Sequence, residues 1–258
     1  MLEIKDLSVA YGSKRVLHDV SLKVEPGEIL AVVGESGSGK STMLRSILGL
    51  NGGSAAVERG QILFDGRDLL TSGEKELRRI RGGEIAMVFQ HPAQSFDPVT
   101  KIGRQVYETV RAHEKLSKAD TYDKMLTLLA DMKLPEPDRI LNSYPFELSG
   151  GMCQRVALAL AMVLKPRLLL ADEPTSALDV TVQAQVIATM MKLRENFGMS
   201  ILLVTHNIGV AAHMAGRMAV MYRGSIVEQG ETRQILSAPA HEYSRRLIAS
   251  VPVIGTGR

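Results

Sequence analysis

The sequence predicts an α/β fold: a core of parallel strands and helices, with a helical subdomain inserted into it. Three observations carry this. Ile29–Val33 and Leu168–Ala171 are uninterrupted apolar runs, the pattern of strands buried on both faces of a parallel sheet. After the second run a helical stripe at Val182, Val186, Met190, Leu193 and Phe197 gives way to a third strand at Ser200–Thr205, so strand and helix alternate. Between the two runs, residues 91–160 read as mainly helical.

In chain order, Leu2 and Ile4 alternate with polar neighbours, and Val20, Leu22 and Val24 do so again, which makes the opening third a set of short strands. Pro26-Gly27 punctuates them. Ile29–Val33 then runs into a glycine-rich loop and an apolar helix, Met43–Leu50, with a further strand at 61–65 and another at 85–89. In the insertion, Ile102, Val106 and Val110 recur at helical spacing, and Met125, Leu128, Leu129 and Met132 form an i, i+3, i+4, i+7 stripe. Pro135 and Pro137 mark a short loop, and 218–228 reads as two strands turning at Arg223-Gly224. We expect one domain over 1–258: a core of 1–90 and 161–258, a helical subdomain of 91–160, and a short helical tail over 231–258.

With 258 residues, 45% hydrophobic and 23% charged, the chain can bury a full core. Its longest apolar run, Val156–Leu164, has nine residues, about half of what a membrane-spanning helix needs. Charges in the opening MLEIKDLSV stand where a secretory signal has its apolar stretch, so export is not expected. A single cysteine excludes an internal disulfide or a multi-cysteine metal cage and fits a reducing cytoplasm. A net charge of +3, with no basic run and no Trp, argues against direct contact with nucleic acid.

Gly34-Glu35-Ser36-Gly37-Ser38-Gly39-Lys40-Ser41-Thr42 fits G-x-x-x-x-G-K-[ST] between a buried strand and a helix, the context that gives a phosphate loop its meaning. The glycines let backbone N–H groups turn toward phosphate oxygens, and the helix start adds about half a positive charge. Lys40 reaches the β and γ phosphates in this reading, and the Ser41 hydroxyl completes the coordination of Mg²⁺. The core is then that of a P-loop NTPase, though the loop alone does not separate a transporter ATPase from a GTPase, a kinase or a helicase. The apolar strand at 168–171 ends in Asp172-Glu173, where α/β proteins place catalytic groups. Asp172 suits Mg²⁺ and Glu173 suits a general base. Since Pro174-Thr175 follows, one of the two carboxylates could instead cap a helix.

Leu148-Ser149-Gly150-Gly151, at its distance before Asp172, resembles the signature motif of the nucleotide-binding subunits of ATP-binding cassette (ABC) transporters, a likeness that runs from about residue 2 to 250. The resemblance implies an antiparallel N-terminal β subdomain beside the P-loop core. It places Tyr11 under adenine, Gln90 on Mg²⁺ and the attacking water, and His206 on the γ-phosphate. It places Ser176–Asp179 on a loop crossing a dimer interface, and Ser149, Gly150 and Gly151 against the γ-phosphate of a second subunit. Other roles stay open beside these: Tyr11 as a strand-end tyrosine, Ser149 as a plain helix cap, His206 as a structural histidine.

Met152 stands where many members have glutamine, and S-G-G-M-x-Q-R resembles the peptide and nickel uptake branch. So do Gln90-His91-Pro92, Phe96-Asp97-Pro98, Ser143-Tyr144-Pro145 and the tail His241-Glu242-Tyr243 to Val251-Pro252. Many peptide members carry a cysteine-rich extension, and this chain with its one cysteine is most similar to the shorter nickel import subunits; a dipeptide or oligopeptide importer is the alternative. The six histidines show no paired spacing for a metal, and Cys153 reads as a small packing residue. The implied partners are a paralogous ATPase subunit forming a heterodimer, two integral membrane permeases and, through them, an extracytoplasmic substrate-binding protein. The implied place is the cytoplasmic face of the inner membrane, as a peripheral subunit. A soluble cassette ATPase acting on DNA or ribosomes is the competing class.

Overall fold

The computed structural model describes residues 1–176 and 178–250. Ala177, inside the expected interface loop, and 251–258, the end of the expected tail, lie outside the described residues. The chain runs β1 (Leu2–Tyr11), β2 (Lys14–Val24), β3 (Ile29–Val33), α1 (Lys40–Ile47), β4 (Ala55–Phe64), β5 (Arg67–Asp68), α2 (Glu74–Ile80) and β6 (Ile85–Val88). It continues with α3 (Ile102–Arg111), α4 (Lys118–Asp131), α5 (Pro137–Asn142), α6 (Gly150–Met162), β7 (Leu168–Asp172) and α7 (Val180–Phe197). Then come β8 (Ser200–Thr205), α8 (Ile208–Met214), β9 (Arg217–Tyr222), β10 (Ser225–Glu231), α9 (Thr232–Ser237) and α10 (Glu242–Ala249). Two compact units emerge: Met1–Ser72 together with the chain from Ser200 onward, and Gly73–Met199.

The first unit holds an antiparallel sheet of order β2-β1-β4-β5. Leu2 and Ile4 sit opposite Val24 and Leu22, as their alternation requires. Register shifts after Ile4 break that period, so Leu7 to Ala10 are buried in succession. β4 is longer than the expected strand at 61–65, because its first half is largely exposed and carries no apolar alternation. The same unit holds β3 between two parallel neighbours, β8 and β9, with all five β3 residues buried. β10 returns antiparallel to β9 through Arg223-Gly224, whose φ values of 47° and 84° make the two-residue turn that matches strand twist.

The second unit pairs β6 and β7 in parallel and is otherwise helical. The predicted stripes face inward: Ile102, Val106 and Val110 on α3, Met125, Leu128 and Leu129 on α4, and Val186, Met190 and Leu193 on α7 are buried. Two readings are corrected. Pro137 does not merely mark a loop but opens α5, where a residue lacking an N–H costs nothing. The helix after the phosphate loop, expected over Met43–Leu50, runs from Lys40 to Ile47, because the left-handed Gly39 stands just before it and the left-handed Gly49 ends it. Cys153 is 2% exposed on α6, and burial pushes its thiol up, as a packing residue requires. Among the described residues no helix is long and apolar enough to cross a membrane.

Candidate nucleotide site

In the first unit, the loop from Gly34 to Gly39 joins β3 to α1. Gly37 and Gly39 have φ of 79° and 108°, left-handed backbone of the kind that lets neighbouring N–H groups converge on an anion. Gly34 is glycine for a different reason: a Cβ there would overlap the carbonyl oxygen of Met221 on β9. Lys40, the first residue of α1, is 4% exposed, and its ammonium donates to Gly34 O and Glu35 O at 2.8 Å each and to Ser38 Oγ at 3.3 Å. The loop is also tied to the β9–β10 turn, since Gly224 N–H donates to Ser38 O at 2.9 Å.

Parallel pairing decides what stands beside this loop. Val33 is in register with Thr205, so Gly34 and His206 both leave the sheet one residue later, at the same edge. His206 is exposed there. Tyr11 ends β1, and its hydroxyl donates to Asn51 Oδ1 at 3.4 Å.

In the second unit the same logic operates on β6 and β7. Val88 is in register with Ala171, which places Gln90 and Glu173 at matching positions beyond the strand ends. Their side chains meet: Gln90 Nε2 donates to Glu173 Oε2 at 3.1 Å. Asp172 is the buried last residue of β7. Glu173 has φ of 47°, a conformation costing a non-glycine residue about 1–3 kcal/mol, which the turn closing behind it must hold. Its carbonyl accepts from both the N–H and the hydroxyl of Ser176, each at 3.2 Å, which closes the turn. Neither carboxylate caps a helix. That task falls to Asp179, whose Oδ1 accepts the N–H groups of Thr181 and Val182 at 3.0 Å each.

Ser149 is the N-cap of α6, its hydroxyl accepting Met152 N–H at 3.3 Å. It and Gly150 are exposed at that helix end, and a Cβ on Gly151 would come within 2.9 Å of Val182 Cγ1. The structure thus brings together the loop, Lys40 and Ser41 at one strand edge with His206, and brings Gln90 to Glu173 at another. One residue that sequence reasoning left without a role, Tyr243, accepts the Glu35 N–H on its hydroxyl at 3.1 Å. Its tail motif was visible, but nothing in it pointed to a loop 208 positions away.

The family profile described as ABC transporter matches residues 17–176, well over half of the chain. The dipeptide transport ATP-binding protein DppD of Lactococcus lactis subsp. cremoris (strain MG1363) is 43% identical over 98% of this chain and 74% of its own length. The chain belongs to the ABC transporter family. As an ABC ATP-binding protein it is an ATPase coupled to transport. It is also similar to the oligopeptide transport ATP-binding protein OppD of Bacillus subtilis (strain 168), at 43% identity over 98% of this chain and 72% of that one. Among solved structures, the ATP-binding cassette MJ0796, captured as a dimer in a post-hydrolysis state with ADP and Pi, superposes with a TM-score of 0.80 at 30% identity. That match covers 90% of this chain and 99% of the other. The fold is accordingly the mixed α/β ABC ATPase fold, an antiparallel N-terminal sheet with a P-loop NTPase core.

Proposed function

We propose that this chain binds MgATP through its phosphate loop and hydrolyses it with Glu173 as general base, to drive import of peptides. The observation that carries the catalytic part is the Gln90–Glu173 hydrogen bond at 3.1 Å, on a glutamate whose backbone is held at φ of 47°. A base acts well only when its placement is fixed before the water arrives, and both features fix it. In this reading the loop N–H groups and Lys40 hold the β and γ phosphates, and His206 orients the γ-phosphate. Gln90 orients the attacking water, and Tyr11 lies under adenine. Water attacks the γ-phosphorus in line as its bond to the β–γ bridging oxygen breaks, ADP and phosphate leave, and the proton the water sheds passes to Glu173.

Ser41, Gln90 and Asp172 are the residues that would hold Mg²⁺. They offer a hydroxyl, an amide carbonyl and one carboxylate, and among the described residues no group of three or more His, Cys, Asp or Glu is placed to hold a metal ion by itself. A hard-oxygen set poor in carboxylates fits Mg²⁺, which keeps water and phosphate ligands of its own. When bound, Mg²⁺ neutralises charge developing on the phosphates.

Ser149, Gly150, Gly151 and Asp179 have their proposed role against a second ATPase subunit, paralogous in a heterodimer, whose nucleotide they complete. The exposed start of α6 supports this, because a helix N-terminus favours an anion. Two membrane permeases would dock on the 91–147 segment, where Val99 and Phe146 are 80% and 73% exposed, the kind of apolar surface a partner covers. A substrate-binding protein would act through those permeases, and the subunit would sit on the cytoplasmic face of the inner membrane. We favour peptide over nickel as cargo because the relatives described above are named for dipeptide and oligopeptide transport.

The test is Glu173→Gln in the chain assembled with its permeases. ATP binding should persist while turnover falls roughly 10²–10⁴-fold, the size of general-base effects; wild-type turnover would remove Glu173 from the role. For cargo, transport in vesicles should follow added peptide and not Ni²⁺, and the reverse result would restore the nickel reading.

A further inference from the structure

Tyr243 lies on α10, 2% exposed, and its hydroxyl accepts the N–H of Glu35 at 3.1 Å. Its ring stacks on Tyr222 with centroids 4.0 Å apart and planes at 26°. Tyr222 is the residue after Met221, whose carbonyl is pressed against Gly34. The start of α10 is itself anchored. The Glu228 carboxylate on β10 accepts the N–H groups of Ala240 at 2.8 Å and His241 at 3.0 Å, and His241 Nδ1 accepts Tyr243 N–H at 3.1 Å.

The Glu35 N–H belongs to the same peptide plane as the Gly34 carbonyl. In a trans peptide these two groups point in opposite directions, so holding one aims the other. Tyr243 takes the N–H on one side of the plane, and Lys40 Nζ donates to Gly34 O at 2.8 Å on the other. Lys40 alone would hold this plane at its carbonyl end only, and its ammonium sits on a flexible stem. The tyrosine hydroxyl adds a second hold, at the N–H end.

We infer that Tyr243 is a positioning residue for the nucleotide reaction: it fixes the Gly34–Glu35 peptide plane, and through it the Lys40 ammonium, so that α10 sets the affinity of the phosphate loop. This rests on the reading that the loop binds the phosphates of ATP. Because the loop holds phosphate in the ground state and the transition state alike, loosening it raises KM and leaves kcat nearly unchanged.

The experiment uses the full chain with Tyr243→Phe, which keeps the ring against Tyr222 and removes only the acceptor. ATP titration and steady-state kinetics should show Kd and KM raised about 3–10-fold, the worth of one net hydrogen bond, with kcat within about twofold. In the nucleotide-free protein, amide hydrogen exchange at Glu35 should speed up by a similar factor. Wild-type Kd and KM, or unchanged exchange at Glu35, would overturn the inference. Should the variant not fold, exchange in the wild-type chain decides: Glu35 should be protected relative to Gly37, and equal exchange at the two overturns it. Lys40→Ala separates the two levels. If Lys40→Ala binds ATP like wild type, the phosphate-loop reading falls and takes this inference with it; if Lys40→Ala loses binding while Tyr243→Phe is unaffected, only the role of Tyr243 falls.

Discussion

Asp179 has an observed role as a helix cap and a proposed one at the subunit interface, and one pair of substitutions separates them. Its Oδ1 accepts two N–H groups at 3.0 Å from the first turn of α7, an 18-residue helix. Removing such a cap costs about 1 kcal/mol within a range of roughly 0.5–2, and losing a negative charge at the helix start adds about 0.3–1. Asp179→Ala should therefore cost about 1–2 kcal/mol, whereas Asp179→Asn keeps the acceptor and should lose only the charge contribution. For a chain of this size, roughly 2–4 °C of melting temperature goes with each kcal/mol. Calorimetry should place the alanine variant about 2–8 °C below wild type and the asparagine variant within about 1–4 °C, the latter gap shrinking as salt screens the dipole. Turnover measured well below both melting points then isolates the interface role: a loss already present in Asp179→Asn, and shared by Asp179→Ala, reports a need for charge between subunits. If asparagine melts as low as alanine, the capping argument is wrong.

Two further outcomes follow from the geometry. Gly34→Ala should lose about 1–3 kcal/mol and weaken ATP binding, since the added carbon meets a β9 carbonyl that sheet pairing holds in place. Gly37→Ala has open space around it and should lose only the roughly 1–2 kcal/mol of its left-handed backbone, with Gly37→Asn milder still, as denaturant melts with and without ATP would register. At Glu228, burial pushes the carboxyl up, but the hydrogen bonds it receives outweigh this and hold it below the ordinary range. A depressed carboxylate stabilises the fold above its unfolded pKa and loses that contribution as pH falls through the folded value. The melting gap between wild type and Glu228→Gln should thus be widest at neutral pH and close below about pH 4; a gap that widens on acidification would contradict it.

What the sequence made legible was whatever rests on local pattern. The five apolar residues of β3 are too short a run for a helix and are flanked by Pro26-Gly27 and a glycine-rich stretch, which marks a doubly buried strand running into a loop. The turn at Arg223-Gly224 and the inward stripes of α3 and α4 were equally local. α2 went unseen because its residues, EKELRRI, are mostly charged and bury only Ile80. In the site, spacing identified Lys40 and the Asp172-Glu173 pair; Gln90 was named only through family likeness, and its contact with Glu173, 83 positions away, was not foreseen. The positive φ of Glu173 was invisible, since glutamate has no preference that would announce it. Tyr243 was hidden for a related reason: a hydroxyl that receives a backbone N–H leaves no mark on either partner's residue type.

The three acceptors around Lys40 set a threshold for any guest of the loop. The ammonium already has Gly34 O, Glu35 O and Ser38 Oγ within 3.3 Å, so an arriving anion exchanges partners with a buried lysine that protein oxygens already hold. A weak anion with one or two oxygens to offer gains little from that exchange. A ligand bearing several linked phosphates, able to replace all three acceptors at once, gains much more. On the proposed reading the loop would discriminate by competition with itself, and would stay quiet toward the small anions that crowd around every basic surface.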